Sequence, residues 1–237
     1  MQNYRILPAG DTALVVEFGD RIERQLSSWV LALARRLNEV MLQGVRETVP
    51  TFRSLTVHYE PMVLPADELI ECIAALMRDL DGSPSSGRRW RLPACYDAQV
   101  APDLAEVASR VGQTPSQIVE RHSATAYHVY MLGFLPGQAY MGDVPAELAL
   151  PRRETPRQKI PAGSLAIAMT MTCIFPMETP CGWHLIGRSP IPLWIEGDAP
   201  KALLEPGDQV SFDPVSLREY ESLLVQVSDG VLRIQPE

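Results

Sequence analysis

Between residues 150 and 160 stand Arg152, Arg153, Arg157 and Lys159 against a single acid, Glu154, four cations and one anion in a chain of net charge -8. Such an island attracts anions, because a guanidinium presents a planar fork of donors matched to carboxylate or phosphate oxygens. Pro151, Pro156 and Pro161 flank it and restrict how far the fork can wander. The charges alone leave a second reading open, a solvated loop balanced by Glu196 to Glu237, where nine acids face three bases.

The neighbouring loops favour a site. Gly133-Phe134-Leu135-Pro136-Gly137 lets backbone approach a ligand, Pro161-Ala162-Gly163-Ser164 is a tight turn ending in a hydroxyl, and Pro180-Cys181-Gly182-Trp183 presents an aromatic. His122 could move a proton near neutral pH, or could simply interact with the C-terminal end of its helix. His128 and His184 have weaker claims, and Met169 and Met171 read as alternate core positions on one strand. Cys72, Cys95, Cys173 and Cys181 form no C-x-x-C pair and read as free thiols packed as small core residues. No Ser-His-Asp arrangement, metal-ligand spacing or Walker-type G-x-x-x-x-G-K-[ST] is present, so a nucleotide site would be built differently.

The elements that must position these residues divide in two. Residues 4–9 and 12–18 read as strands around Gly10-Asp11, and the apolar stripe from Ile22 to Met41 reads as an amphipathic helix ended near Gly44. Strands over 45–49 and 54–59 and a helix over 67–80 complete a β-β-α-β-β-α order. The turn formers of residues 81–87 mark a boundary, giving an N-terminal domain over 1–80, a linker over 81–89 and a second domain over 90–237. Arg88, Arg89 and Arg91 read as solvated residues at a strand entrance rather than a phosphate patch.

The second domain opens with a strand over 90–95, then helices over 103–110 and 116–122, the latter behind a Thr114-Pro115 start. A strand over 125–132 follows. From Gly133 to Pro190 come eight prolines and six glycines, a composition suited to short strands and shaped loops. Further strands are expected over 165–171, 182–186, 193–195, 209–212 and 223–227, most simply as a closed or half-closed barrel.

Bulk properties exclude other classes. A net charge of -8 with no long basic run argues against nucleic acid. No window approaches the ~18 uninterrupted apolar residues of a spanning helix, and residues 1–10 lack a signal-peptide pattern. A cytoplasmic protein is expected.

The segments Leu132-Gly-Phe-Leu-Pro-Gly-Gln-Ala-Tyr140, Pro151-Arg-Arg-Glu-Thr-Pro-Arg157, Pro161-Ala-Gly-Ser164, Ile174-Phe-Pro176 and Pro180-Cys-Gly-Trp-His-Leu-Ile-Gly-Arg188 closely resemble the family named for allophanate hydrolase subunit 1. That family includes the 5-oxoprolinase B subunit, the KipI-type inhibitor of a sensor histidine kinase, and part of the urea carboxylase carboxyltransferase domain. The resemblance implies an α+β fold, a small N-terminal α+β domain followed by a C-terminal cyclophilin-like β-barrel. It implies one component of an ATP-dependent 5-oxoprolinase that opens a lactam to glutamate together with a second carboxyltransferase-like subunit of the C type and a lactam-opening subunit of the A type. ATP, with its Mg2+, would phosphorylate the lactam oxygen. The kinase inhibitor, and half of a biotin-dependent carboxyltransferase, are the alternatives.

Carried over position by position, His122, Tyr140 and Arg153 are expected to act in catalysis. Gly133, Phe134, Gly137, Arg152, Arg157, Ser164, Trp183 and Arg188 are expected to bind substrate or nucleotide. Gln138 stands where relatives commonly have Phe, and Cys173 and Cys181 where they commonly have Gly; all three fall in loops expected to line the site.

Overall fold

A computed structural model describes residues 3–83, 87–197, 201–232 and 234–237. The chain forms two compact units, Met1–Ser86 and Gly87–Glu237. The expected linker includes residues 84–86, which lie outside the described residues.

In the first unit, β1 (Arg5–Pro8), β2 (Ala13–Glu17), β3 (Val45–Pro50) and β4 (Ser54–Tyr59) make an antiparallel sheet in the order β1-β2-β4-β3, with α1 (Arg24–Val40) and α2 (Ala66–Arg78) completing it. The pattern explains the packing: Leu14 and Val16 alternate on β2, Leu55 and Val57 on β4, and these meet Val30, Leu33 and Leu37 of α1 and Leu69 and Ile73 of α2 in one buried cluster. The stripe on α1 stops sooner than Gly44, because Met41 already adopts a left-handed φ of 49°.

The second unit contains β5 (Arg89–Cys95), α3 (Leu104–Arg110), α4 (Pro115–Ala124), β6 (Tyr127–Leu132), β7 (Ala139–Gly142), β8 (Arg157–Ile160), β9 (Ser164–Ala168), β10 (Met171–Ile174), β11 (Thr179–Cys181), β12 (His184–Arg188), β13 (Trp194–Ile195), β14 (Lys201–Ala202), β15 (Gln209–Val215) and α5 (Leu217–Ser228). Seven strands close a barrel in the order β10-β7-β6-β15-β5-β12-β9. β15 runs parallel to β5 from Gln209 opposite Arg89 to Val215 opposite Cys95, and the other barrel pairings are antiparallel. Helix α4 starts as its sequence dictates: Thr114 accepts from Gln117 N, the Gln117 side chain accepts from Thr114 N at 2.8 Å, and Pro115 occupies the first turn.

Three expectations give way here. Residues 223–227 are helical, not extended, because Ser216 caps α5 and Tyr220, Leu223, Leu224 and Val227 repeat at helical spacing; five residues of Leu-Leu-Val-Gln-Val were too short a window to show it. The segment 165–171 is two strands, and Met169 lies in the turn between them at φ 53° and 57% exposed, so only Met171 packs inside. Arg88 is not a solvated residue: its Nε donates to Asp208 Oδ1 at 3.0 Å and its Nη2 to Oδ2 at 2.6 Å, while its guanidinium sits 5.2 Å from the Trp90 ring. Together with the Arg91–Asp213 pair, this fastens β5 to the segment entering and forming β15.

Candidate functional site

Half of the arginine island, Arg157 and Lys159, lies on a two-stranded ribbon, β8 against β11, in which Arg157 lies opposite Cys181, and Arg152 and Arg153 stand in the loop before it. Most of the island's charge is already neutralised. Asp103, the residue before α3, is 2% exposed, and both its oxygens are occupied: Leu185 N donates to Oδ2 at 2.7 Å, Arg157 forks across the carboxylate with Nη1 at 2.8 Å from Oδ2, and Arg153 Nη1 reaches Oδ1 at 3.2 Å. Arg153 Nη1 also lies 3.3 Å from Glu106, and Lys159 pairs with Glu178 at 2.8 Å. The expected catalytic residue Arg153 and the expected anion binder Arg157 are thus both engaged by a buried carboxylate, while Arg153 also lines the larger of two cavities. Both guanidiniums hold the ribbon and the 151–153 loop to α3 and β12, where a buried carboxylate needs them.

Arg152 differs: it is exposed, and no ion pair or hydrogen bond to it is found among the described residues. Its backbone is held on both sides, since His184 Nε2 donates to Pro151 O at 2.9 Å and Arg153 N donates to Gly182 O at 2.8 Å. This presents Arg152 between two cavities. One is an open cleft of about 580 Å³ lined by Glu106, Arg110, Pro151, Arg152, Arg153, Glu154 and Thr155. The other, of about 150 Å³, is lined by Phe134, Gln138, Tyr140, Arg152, Phe175, Pro180, Cys181, Gly182 and Trp183.

The smaller cavity is an aromatic cup. Trp183 meets Tyr140 edge to face at 6.0 Å between centroids and Phe175 at 6.3 Å. Phe134 projects from the loop between β6 and β7, 66% exposed and at a φ of 72°, a conformation that a bulky residue adopts only when its surroundings impose it. Gly137 makes that loop possible: its φ is 75°, and a Cβ there would come within 2.5 Å of Leu193 O. Gly133 and Gly137 thus shape the loop, and Phe134 and Trp183, expected to bind substrate or nucleotide, both line the cup.

Burial raises the Tyr140 hydroxyl above its ordinary pKa, with Cys173 adding to the rise and Arg152 opposing it. Burial likewise raises the Cys181 thiol. At neutral pH both groups keep their protons, so Tyr140 can donate a hydrogen bond but is not a base, and Cys181 is not a thiolate.

The remaining expected site residues are elsewhere. His122 is fully buried inside the barrel unit, with Nδ1 2.8 Å from Tyr96 Oη, Nε2 3.0 Å from Thr172 Oγ1, and its ring stacked 4.9 Å from Phe212. Burial pushes its pKa down to about 3, which favours the neutral imidazole, and His122 lines neither cavity. Ser164 donates to Pro161 O at 2.7 Å, and Arg188 Nε donates to Ala162 O at 2.9 Å. These two close the 161–164 turn and line neither cavity. Sequence reasoning missed Asp103, Glu106 and Phe175 and gave His184 no positioning role; the partners of Arg153 and Arg157 lie 50 and 54 residues away, and no local pattern announces them.

Fold and site together define an α+β protein whose closed barrel carries a small aromatic cup with one unpaired arginine at its rim. The chain belongs to the carboxyltransferase domain, subdomain C and D family, whose model matches residues 4–204. It is 34% identical over 233 residues to the 5-oxoprolinase B subunit of Bacillus subtilis (strain 168), covering 92% of this chain and 96% of that protein. The solved structure of TTHA0988 is similar at a TM-score of 0.76 and 32% identity, over 86% of this chain and 40% of that one. Kluyveromyces lactis urea carboxylase matches 99% of this chain and 24% of its own at a TM-score of 0.79; at 18% identity that likeness shows the fold alone.

Proposed function

We propose that this chain is the B-type subunit of a 5-oxoprolinase and takes part in hydrolysing the cyclic amide 5-oxoproline to glutamate. The observation that carries this reading is the relationship to the Bacillus subtilis 5-oxoprolinase component over 92% of this chain and 96% of that protein. The cup supports it, since about 150 Å³ with aromatic walls and a cation at the rim suits a small ring acid better than a drug-sized ligand, which needs ~300 Å³ or more.

The reading also requires partners. The groups lining the cup and the cleft include no ionised base or thiolate at neutral pH apart from carboxylates, and Glu106 is drawn to Arg153 and Arg110. Water activation and most phosphate contacts would come from C-type and A-type subunits, so the chain alone is inactive. ATP, with Mg2+, is the co-substrate: the lactam oxygen takes the γ-phosphoryl group and ADP leaves, water adds to the activated carbon, the ring C–N bond breaks as the amine takes up a proton, and a second water releases phosphate from the resulting acyl phosphate to leave the carboxylate. Two acids line the open cleft along with Arg110, Arg152 and Arg153, which argues for a nucleotide site completed by another chain. No helix among the described residues is long and apolar enough to cross a membrane, and four free cysteines fit the reducing cytoplasm in which we place the complex.

The test is reconstitution. The chain is combined with its cognate C-type and A-type subunits, and ATP-dependent glutamate formation from 5-oxoproline is followed with each component omitted in turn. Turnover is expected only from the full set. No turnover from the complete set of folded proteins, or turnover unchanged when this chain is left out, overturns the reading.

A further inference from the structure

Gln138 is 1% exposed, and its Oε1 has no hydrogen-bond partner among the described residues. A buried polar atom left unpaired costs stability, so an unpaired one on a cavity wall is a group waiting for a ligand. The backbone around it is rigid: Gln138 N donates to Leu135 O at 3.0 Å and Gln138 O accepts from Gly133 N at 3.1 Å. Gln138 thus sits on a fixed turn and is one of the residues lining the aromatic cup.

We propose that the cup over Gln138 is a lactam subsite, in which the Gln138 carboxamide pairs with the cis-amide edge of the ring and Arg152 takes a carboxylate on that ring. The proposal rests on the lactam-hydrolase reading above and assigns its substrate recognition to named atoms.

The chemistry follows from shape. A lactam ring holds its amide cis, so N–H and C=O lie side by side on one edge. A primary carboxamide offers the complementary edge, an acceptor beside a donor, and two antiparallel hydrogen bonds join them whichever way the glutamine amide is turned. A linear trans amide cannot present that edge, and neither can the opened amino acid product. Phe134, Tyr140, Phe175 and Trp183 give the ring methylenes apolar walls, and Arg152 is the lone cation among the lining residues. Its guanidinium has no carboxylate partner among the described residues, in contrast to Arg153 and Arg157.

The experiment compares ligands and variants by titration calorimetry on the purified chain, and by KM in the reconstituted complex. The ligands are 5-oxoproline, its N-methyl derivative, which lacks the N–H, and 2-pyrrolidone, which lacks the carboxylate. Wild-type protein should bind 5-oxoproline at least about tenfold more tightly than either analogue. Gln138→Met, similar in size and apolar, should lose about tenfold for 5-oxoproline and no longer distinguish the N-methyl derivative. Arg152→Gln should lose the preference over 2-pyrrolidone while still sensing N-methylation. Circular dichroism and melting confirm that each variant is folded.

Equal binding of the N-methyl derivative by wild type, unchanged affinity in folded Gln138→Met, or no lactam binding by either chain or complex overturns the subsite. The two proposals fail separately. A complex that cleaves 5-oxoproline with the same KM in Gln138→Met keeps the function and loses the subsite; Gln138-dependent lactam binding without turnover keeps the subsite and loses the function.

Discussion

Asp103 and Gln138 are buried to nearly the same degree, 2% and 1% exposed, in the same unit and on either side of the 151–153 loop, yet they are opposites. Every acceptor position of the Asp103 carboxylate that faces the protein is engaged, by Leu185 N and by two arginines. Gln138 Oε1 is bonded to nothing among the described residues. A saturated buried group is a structural staple, whereas an unsaturated one on a cavity wall implies something from outside. The arginines divide nearly along the same line: Arg157 and Arg153 pair with Asp103, Arg153 also lining the larger cleft, whereas Arg152 lines both cavities without a carboxylate among the described residues.

Removing the staple should give the largest effect. Asp103→Ala leaves two partly buried guanidiniums without their carboxylate and should cost ~3–5 kcal/mol in urea unfolding. A loss below ~1 kcal/mol would erase the distinction between the two regions. Next comes His122, another buried polar group with both ring nitrogens engaged. Its folded pKa of about 3 lies below the ordinary 6.5, so the unfolded chain takes up the proton first as pH falls. Its contribution is complete above pH 6.5 and drains away toward pH 3, amounting to ~3 kcal/mol between pH 6.5 and 4. Unfolding curves over that range should show a steeper acid loss for wild type than for His122→Gln; parallel curves would contradict it.

Smaller still is Gly137→Ala. It sets a side chain at φ 75° with a Cβ 2.5 Å from Leu193 O, and should lower stability by ~2 kcal/mol and displace Phe134, read by melting and by fluorescence quenching of Trp183. Arg152→Ala should move stability least, within ~0.5 kcal/mol, while reducing turnover of the complete complex at least tenfold. A fall in stability comparable to Asp103→Ala would make Arg152 a second staple.

Much of this architecture is legible in the sequence where the signal is local. The β-β-α-β-β-α order of the first unit emerges as written because apolar periods of two and of three to four residues are visible in short windows. The glycine and proline loops also point to Phe134 and Trp183, since turn chemistry is local. What escapes depends on distant partners. Four basic residues look like an anion site because the acids that neutralise three of them, Asp103, Glu106 and Glu178, come from other segments. The β8–β11 ribbon is invisible for the same reason, its strands being four and three residues long and separated by a barrel hairpin. In sequence Gln138 is only a departure from the family pattern, and burial without a partner is what gives that departure meaning.

The parallel pairing of β5 with β15 also bears on how the protein is made. β5 ends at Cys95 and its neighbour begins only at Gln209, so during synthesis the barrel lacks its closing strand until most of the unit has left the ribosome. Until then β5 and β6 each keep a bare edge, the kind of surface on which unfinished chains pair with one another. A nascent chain arrested before residue 209 is therefore the form most in need of a chaperone, and coexpression with one should matter more to the yield of this unit than to that of the first, whose sheet is complete by Tyr59.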